Sequence, residues 1–245
     1  MKRFDLTRTG LAVAAPLIAI VAALALTTLI LIAAGDPVLD VWAVLFKVPL
    51  PRQVVAIVNE ATVLYLSAVA VAIGFRMNLF NIGVDGQYRV ASFAAALFAG
   101  QNFLPGWLNI IVSILVAMVV GALWALIAGL LKVGRGVSEV ISTIMLNYTA
   151  TYLVAYLLRQ TAYRAEGSNV TSTRPIAEDS RVPGISVEGW LNTPNKIYGL
   201  IVLAIAIGFL YWFVVNKTRF GFDLRAAGAS ETAALASGVR VRRMI

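Results

Sequence analysis

The 245 residues contain no cysteine and no histidine. Without cysteine there is no disulfide, and neither a thiolate nucleophile nor a thiolate metal ligand. Without histidine the chain lacks the commonest general base and metal ligand. Charged residues are also scarce, at 13% against about 25% in soluble domains. These absences disfavour most hydrolases and metalloenzymes, so we expect no catalytic residue and no metal site.

Hydrophobic residues, in contrast, make up 60% of the chain, and its mean hydropathy is +0.85. Such a composition indicates an integral membrane protein. The formal charge is +8, but the basic residues flank the apolar segments. Membrane topology and anionic lipid therefore explain the charge better than nucleic acid does, and we expect no nucleic-acid partner.

The apolar segments predict an all-α polytopic membrane protein with about six transmembrane helices. The first segment is too long for the apolar core of a signal peptide, so we interpret it as an uncleaved anchor. The third is short for a full crossing. A basic turn, residues 132–136, joins the fourth and fifth. The six predicted spans are residues 11–34, 54–75, 90–103, 107–131, 137–158 and 197–215.

Lysine and arginine concentrate on the cytoplasmic side of bacterial membrane proteins. An N-terminus inside the cell and six crossings place most of these residues there. Residues 1–216 then form the transmembrane domain, 159–195 an extracytoplasmic loop and 217–245 a cytoplasmic segment. The sequence stops after Arg242-Arg243 as if another span were to begin, so we expect a C-terminally truncated chain.

A polar segment, residues 80–87, interrupts the apolar pattern and carries Asn81, Asp85 and Gln87 with two glycines between them. Non-helical backbone among membrane spans persists only when it is buried in protein or lines a water-filled cavity. The segment is therefore a candidate for a transport pathway. Its place near the cytoplasmic end of the spans favours a turn that orients the pathway helices over a solute cage in mid-membrane.

Two predicted spans carry further polar residues. Glu139, Thr143 and Asn147 recur every four residues and form one stripe on the fifth span. Either the stripe lines the pathway, or it forms interhelical hydrogen bonds. Glu139 also lies close enough to the helix start to meet water and Arg135.

Asn59 and Glu60, in the second span, leave the same alternatives open: contact with solute, or pairing with a neighbouring helix. The candidate substrate-pathway residues are Asn59, Glu60, Asn81, Asp85, Gln87, Glu139, Thr143 and Asn147.

The C-terminal segment contains a short predicted helix. Ser230 is a suitable N-cap, Glu231 favours the first turn, and Gly238 ends the helix. So short a helix is unstable alone and requires a docking surface. We expect its exposed face to consist of alanines, which favours a groove on a protein partner over the lipid surface.

Three segments, in this order, resemble a known family. Residues 81–87 look like the Asn-Ile-Gly-x-Glu-Gly-Gln signature of bacterial ABC-transporter permeases for nucleosides and simple sugars, in the branched-chain amino acid/ribose permease superfamily. Asp85 stands where that signature has glutamate. Residues 139–148 resemble its second signature. Residues 218–238 resemble its cytoplasmic coupling segment, and the matching candidates for ATPase coupling are Arg225, Gly228, Ser230, Glu231, Ala233, Ala234 and Gly238.

The resemblance implies the permease subunit of a type II ABC importer, in the bacterial inner membrane. It implies a second permease subunit, an ATP-binding cassette ATPase dimer and an extracytoplasmic solute-binding protein as partners. No Walker A motif occurs, so ATP and Mg²⁺ are expected on the ATPase, with no cofactor on this chain. The solute is then a nucleoside or a related small polar compound such as a simple sugar.

The residues themselves are also compatible with three other classes of membrane protein. An ion-coupled secondary transporter would use intramembrane carboxylates, for which Glu60, Asp85 and Glu139 are the candidates. A membrane-embedded enzyme would have only scattered carboxylates to work with. A purely structural partner protein would leave the intramembrane polar residues without a use.

Overall fold

The structure is a computed structural model that describes residues 6–160 and 171–241, with side chains from residue 14 onward in the first helix. The chain divides into two compact units, Met1–Leu50 and Pro51–Ile245. The first unit contains helices α1 (Leu6–Ala34) and α2 (Val38–Leu45). Within it, Trp42 Nε1 donates a hydrogen bond to Thr28 Oγ1 at 3.1 Å and so fastens α2 to α1.

The second unit contains the remaining helices and one two-stranded sheet. Its long helices are α3 (Pro51–Phe75), α4 (Val84–Gly100), α5 (Gly106–Arg135), α6 (Glu139–Arg159) and α8 (Leu200–Lys217). Its short elements are the 3₁₀ turn Glu178–Ser180, β1 (Gly184–Ser186), α7 (Glu188–Leu191), β2 (Lys196–Tyr198), α9 (Arg219–Ala229) and α10 (Glu231–Ala236).

The predicted class, an all-α polytopic membrane protein, is confirmed. In the described ranges, five helices are long and apolar enough to cross a membrane: Ala14–Ala34 of α1, and α3, α5, α6 and α8. Helix α4 has 17 residues and is about 26 Å long, against a hydrocarbon core of about 30 Å. The sixth crossing, which was assigned to this segment, and the cytoplasmic N-terminus stay predictions.

Two predicted boundaries are wrong. The third span, expected at 90–103, is the helix Val84–Gly100, because Asp85 and Gln87 fit its first turns; the backbone of Gln87 already donates to Gly83 O at 3.0 Å. The predicted basic turn at 132–136 is the last turn of α5. That helix ends at Gly136, whose φ of +66° provides a left-handed cap.

The predicted loop, residues 159–195, is partly ordered into a small antiparallel hairpin. Strand β1 pairs with β2, which begins just after the loop, and Ile185 lies opposite Ile197. Residues 161–170 of this loop and 242–245 of the predicted cytoplasmic segment lie outside the described residues.

Helix α4 is the centre of the second unit, because it packs against both α5 and α6. Small residues permit the close approach: a Cβ at Gly121 of α5 would lie 3.4 Å from the Cβ of Ala91. On another side, α3 packs against α8, and α8 leads through α9 to α10. Helix α4 therefore lies beside α6, the helix that carries Glu139, Thr143 and Asn147.

Candidate functional site

Between α3 and α4 the chain leaves the helical conformation over residues 76–83, here called the helix break. The break ends four residues before the end of the polar segment predicted at 80–87, because Asp85 and Gln87 are helical. Asn81 closes the break onto α4: its Oδ1 accepts hydrogen bonds from Gly83 N at 3.0 Å and Gln87 Nε2 at 3.2 Å. The side chain thus satisfies the backbone donor of Gly83, which a helix N-terminus leaves open, and holds the Gln87 side chain beside it.

The second support of the break comes from α6, through the carboxamide of Asn147. Its Oδ1 accepts from Gly86 N at 2.8 Å, and its Nδ2 donates to Ile82 O at 2.9 Å. One side chain therefore satisfies a donor in the first turn of α4 and an acceptor in the break. Because both groups lie at an interruption in a membrane domain, their pairing removes a large desolvation cost.

Glycines permit this contact. A Cβ at Gly83 would lie 2.9 Å from the Cβ of Thr143, and one at Gly86 would lie 2.8 Å from Asn147 Oδ1. Thr143 itself is buried, and its hydroxyl donates to the Glu139 carbonyl at 2.6 Å within its own helix. The stripe predicted on α6 thus packs against the start of α4.

Beside this contact lies a cavity of about 230 Å³, bounded by α3, the helix break, α5 and α6. Four of the predicted pathway residues line it: Asn81, Gln87, Glu139 and Thr143. Lys132 lines it too, and its Nζ lies 2.7 Å from Glu139 Oε2. The cavity therefore presents amide groups and a compensated ion pair to a small polar molecule.

Glu139 pairs with Lys132, whereas sequence reasoning proposed water and Arg135. The reason is that α5 continues to Arg135, which brings its last turn opposite the first turn of α6. Sequence reasoning missed Lys132 because it placed that residue in a turn. The signal was present, since Gly136 directly after a basic stretch is typical of a helix end.

The other predicted pathway residues lie apart from the cavity. Asp85 pairs with Arg89 at 2.8 Å on the exposed side of α4, with about half of each side chain accessible. Asn59 fastens β2 to α3: its Oδ1 accepts from Tyr198 N at 2.8 Å, and its Nδ2 donates to Lys196 O at 3.2 Å. Glu60 is exposed. The structure thus brings together the residues of the break and α6, but not those of α3.

Helices α9 and α10 pack against each other and are here called the coupling pair, after the role that the resemblance implies. Ser230 caps α10, as predicted, by accepting from Ala233 N at 3.3 Å, and Gly238 has φ +84°. Arg225 donates to the Val215 carbonyl. The exposed face of α10 differs from the alanine surface expected, because Leu235 is 54% exposed.

The coupling pair packs directly on the helix break. A Cβ at Gly228 would clash with the carbonyl oxygen of Arg76, so this glycine allows backbone contact between α9 and the break. A hydrophobic cluster covers the contact: Met77, Leu224, Ala227, Ala234 and Val241, with Leu79, Ala226 and Val239 packed against it. Met77 and Leu79 also line the cavity. One segment of chain thus contacts both the coupling pair and the cavity.

A multi-pass α-helical bundle with a polar, side-chain-capped helix break is an architecture of membrane transport subunits. Residues 53–245 match the family described as branched-chain amino acid transport system / permease component, and this chain belongs to that family.

Several of the curated relatives are ABC-transporter permeases. The guanosine ABC transporter permease protein NupP of Bacillus subtilis is 33% identical over 94% of this chain and 65% of its own length. The glucose permease protein TsgB13 of Haloferax volcanii is 29% identical over 94% and 62%. A second guanosine permease protein of Bacillus subtilis, NupQ, is 28% identical over 78% and 62%. The chain therefore spans less than two thirds of each relative. No solved structure matches it.

Replacing Asn147 by alanine tests the support of the break. Gly86 N–H and Ile82 C=O lose their partner, and leaving such a group unpaired costs about 1–3 kcal/mol, so the detergent-solubilised protein should melt at a lower temperature. Asn216→Ala is the matched control, because Asn216 only donates to Trp212 O within its own helix. Equal melting temperatures for the two variants would contradict this role of Asn147.

Gly86→Ala tests the close approach separately. Its methyl group would overlap Asn147, and overpacking of this kind costs about 1–3 kcal/mol. Gly134→Ala, also in a helix, has no atom within 4 Å of the added Cβ and should be neutral or stabilising by up to about 1 kcal/mol. Thermal denaturation monitored by tryptophan fluorescence gives both values. A Gly86→Ala variant as stable as Gly134→Ala would show that α6 does not touch α4 there.

Proposed function

We propose that this chain is a permease subunit of an ATP-driven importer for nucleosides or related small polar solutes such as simple sugars. The observation that carries the proposal is the shared segment at Met77 and Leu79, which contacts the coupling pair on one side and the cavity on the other. Family membership and the guanosine and glucose permeases among the relatives support the same function.

The coupling role rests on the surface of α10. Its buried side, through Ala234, packs on the cluster around Met77, whereas Glu231, Ala233 and Leu235 are exposed. Of the residues predicted for coupling, Arg225 bonds the pair to α8, Gly228 lies against the break, and Ala234 packs in the hydrophobic cluster. Ser230 and Gly238 cap the last helix of the pair. Leu235 is the one large apolar side chain among the exposed residues of α10, beside the charged Glu231, which is too little apolar surface for insertion into lipid. Such a face is suited to a groove on a protein, and we assign that groove to an ATP-binding cassette ATPase.

Movement would pass from α10 to the cavity through backbone contact. Because Gly228 lies against the Arg76 carbonyl, a displacement of α9 displaces the helix break. The break in turn is bonded to α4 through Asn81 and to α6 through Asn147. Alternating access requires two states with different affinities for solute and ATPase. The described contacts supply one route by which closure of the ATPase dimer shifts that equilibrium.

The partners follow from this function. The ATPase dimer binds ATP and Mg²⁺ on the cytoplasmic face, a solute-binding protein delivers the solute from outside, and a second permease subunit completes the passage. The two guanosine permease proteins of Bacillus subtilis, both similar to this chain, support a pair of different permeases. We place the assembly in a bacterial inner membrane, with no cofactor on this chain.

The charge contacts argue against an ion-coupled secondary transporter. Two of its three candidate carboxylates are already compensated, Asp85 by Arg89 and Glu139 by Lys132. A carboxylate that binds and releases a coupling ion in each cycle is more readily provided by an uncompensated group. Glu60 is exposed and makes no ion pair within the described ranges, which leaves it as the remaining candidate.

Energy coupling is tested by uptake of radiolabelled guanosine in cells that express the chain with its neighbouring permease, ATPase and binding-protein genes. We expect uptake to stop when ATP is depleted and to persist when an ionophore collapses the proton and sodium gradients. The reverse pattern, together with loss of uptake in Glu60→Gln, would establish the secondary transporter.

The docking surface is tested by Leu235→Glu. The new charge should weaken attachment of the ATPase and lower guanosine uptake at least tenfold, while the amount of permease in the membrane is unchanged. Ser237→Glu is the matched control, because it places the same charge on another face of the helix end. Co-purification of the ATPase at the wild-type level with Leu235→Glu would exclude this face as the docking surface.

A further inference from the structure

Helix α6 exposes three tyrosines at a spacing of four residues. Tyr148 is 65% exposed, Tyr152 73% and Tyr156 62%. Within ranges 6–160 and 171–241, no hydrogen bond is made by any of their hydroxyl groups. The other hydroxyls nearby are different, because Thr149 and Thr151 donate to backbone carbonyls of their own helix. The tyrosines thus present unpaired polar groups on a helix that crosses the membrane.

The three tyrosines lie at different depths in the membrane. Tyr148 is nine residues after Glu139, in a helix of 21 residues, which places it about 14 Å along an axis of about 31 Å. Aromatic belts lie at the two membrane interfaces, so a belt accounts for Tyr156 near the helix end. It does not account for Tyr148 at the centre or for Tyr152 one turn further on. Contact with lipid there would leave phenol hydroxyls unpaired in hydrocarbon.

A mostly apolar groove with several polar side chains adjoins the same face. It lies between α4 and α6, has a volume of about 600 Å³, and is lined in part by Tyr88, Arg89, Ser92 and Thr151. Its lining also includes Ala155, which is seven residues after Tyr148 and therefore on the same side of α6. Grooves of about 300–1,000 Å³ accommodate small-molecule ligands. Tyr148 thus lies beside a space of suitable size, and Tyr152 follows it one turn further along α6.

The chemistry of this face fits a nucleoside. Aromatic rings stack on planar bases, and this stacking stabilises a bound base of any sequence. The hydroxyls of Ser92 and Thr151 donate to backbone carbonyls but keep lone pairs that accept from ribose hydroxyls. We propose that Tyr148 and Tyr152 line the solute passage, stack against the nucleobase, and make the passage favour a nucleoside over a free monosaccharide.

This inference rests on the proposed function but concerns a different surface from the cavity at the helix break. The other possible occupants of the face are lipid and a second permease subunit. The natural absence of cysteine from the 245 residues allows all three to be distinguished by labelling this chain.

The first experiment labels single-cysteine variants in the assembled transporter with a water-soluble, membrane-impermeant methanethiosulfonate, and follows the mass of this chain. The control is Leu123→Cys, at a 58% exposed apolar position on α5. We expect Tyr148→Cys and Tyr152→Cys to react at least tenfold faster than the control, and guanosine to slow both at least threefold. Reaction at the control rate, which indicates lipid, or no reaction at all, which indicates burial against a second permease, would overturn the proposal. So would reaction that guanosine does not slow.

The second experiment measures uptake of radiolabelled guanosine and glucose. Tyr148→Leu should raise the guanosine KM at least tenfold and that for glucose, if it is transported, less than threefold; Tyr148→Phe, which keeps the ring, should lie between Tyr148→Leu and wild type. Tyr156→Leu is the matched control and should change neither KM more than twofold.

The outcomes separate the two proposals. If the wild-type assembly takes up neither solute, the proposed function is wrong and this inference with it. If the wild type takes up guanosine and Tyr148→Leu behaves as Tyr156→Leu does, only the inference is wrong. Equal chain levels in the membrane establish that a loss of uptake is not a loss of folded protein.

Discussion

The two hydrogen bonds of the Asn147 carboxamide are the interaction on which the helix break in the second unit depends. A chain that interrupts a helix inside a membrane domain must pair its backbone groups without water. Here a residue on α6 pairs the donor of Gly86 and the acceptor of Ile82, at 2.8 and 2.9 Å. The end of the break and the first turn of α4 are thereby fixed to α6. In this part of the chain, a polar residue predicted to line a pathway instead supports the backbone of the break.

Because the break is bonded to α6, movement at the contacts on its other side is passed on to α6. On its other side the break carries the coupling pair, which reaches the backbone of Arg76 through Gly228. A segment bonded on both sides cannot move without moving one of its neighbours. Met77 therefore joins two packing environments, the hydrophobic cluster and the cavity, and small shifts in one become shifts in the other because packed interiors deform little.

Sequence alone predicted those features that local rules determine. Apolar runs predicted the long helices, and Ser230 and Gly238 predicted the ends of α10, because caps depend on a few neighbouring residues. The role of Asn147 was not predictable, since its partners lie 61 and 65 residues away. Its residue type allowed either solute contact or interhelical bonding. Lys132 was missed for a different reason: its partner Glu139 is only seven residues away, but Lys132 was placed in a turn, whereas α5 extends to Arg135.

The polar residues of the membrane helices fall into two groups, those paired by hydrogen bonds within the protein and those left unpaired. The first group supports the fold, and the second contains the candidates for the proposed passage. Asn59 and Asn147 bond to backbone groups through both atoms of their carboxamides. Asn81 accepts from Gly83 N and from the Gln87 side chain. These three residues therefore stabilise the fold. The hydroxyls of Tyr148 and Tyr152 lack partners within the described part of the chain, and exposed groups of this kind in mid-membrane require water, solute or another subunit. Polar character within a span is therefore insufficient to identify a solute contact. The decisive property is a polar group that the fold itself leaves unsatisfied.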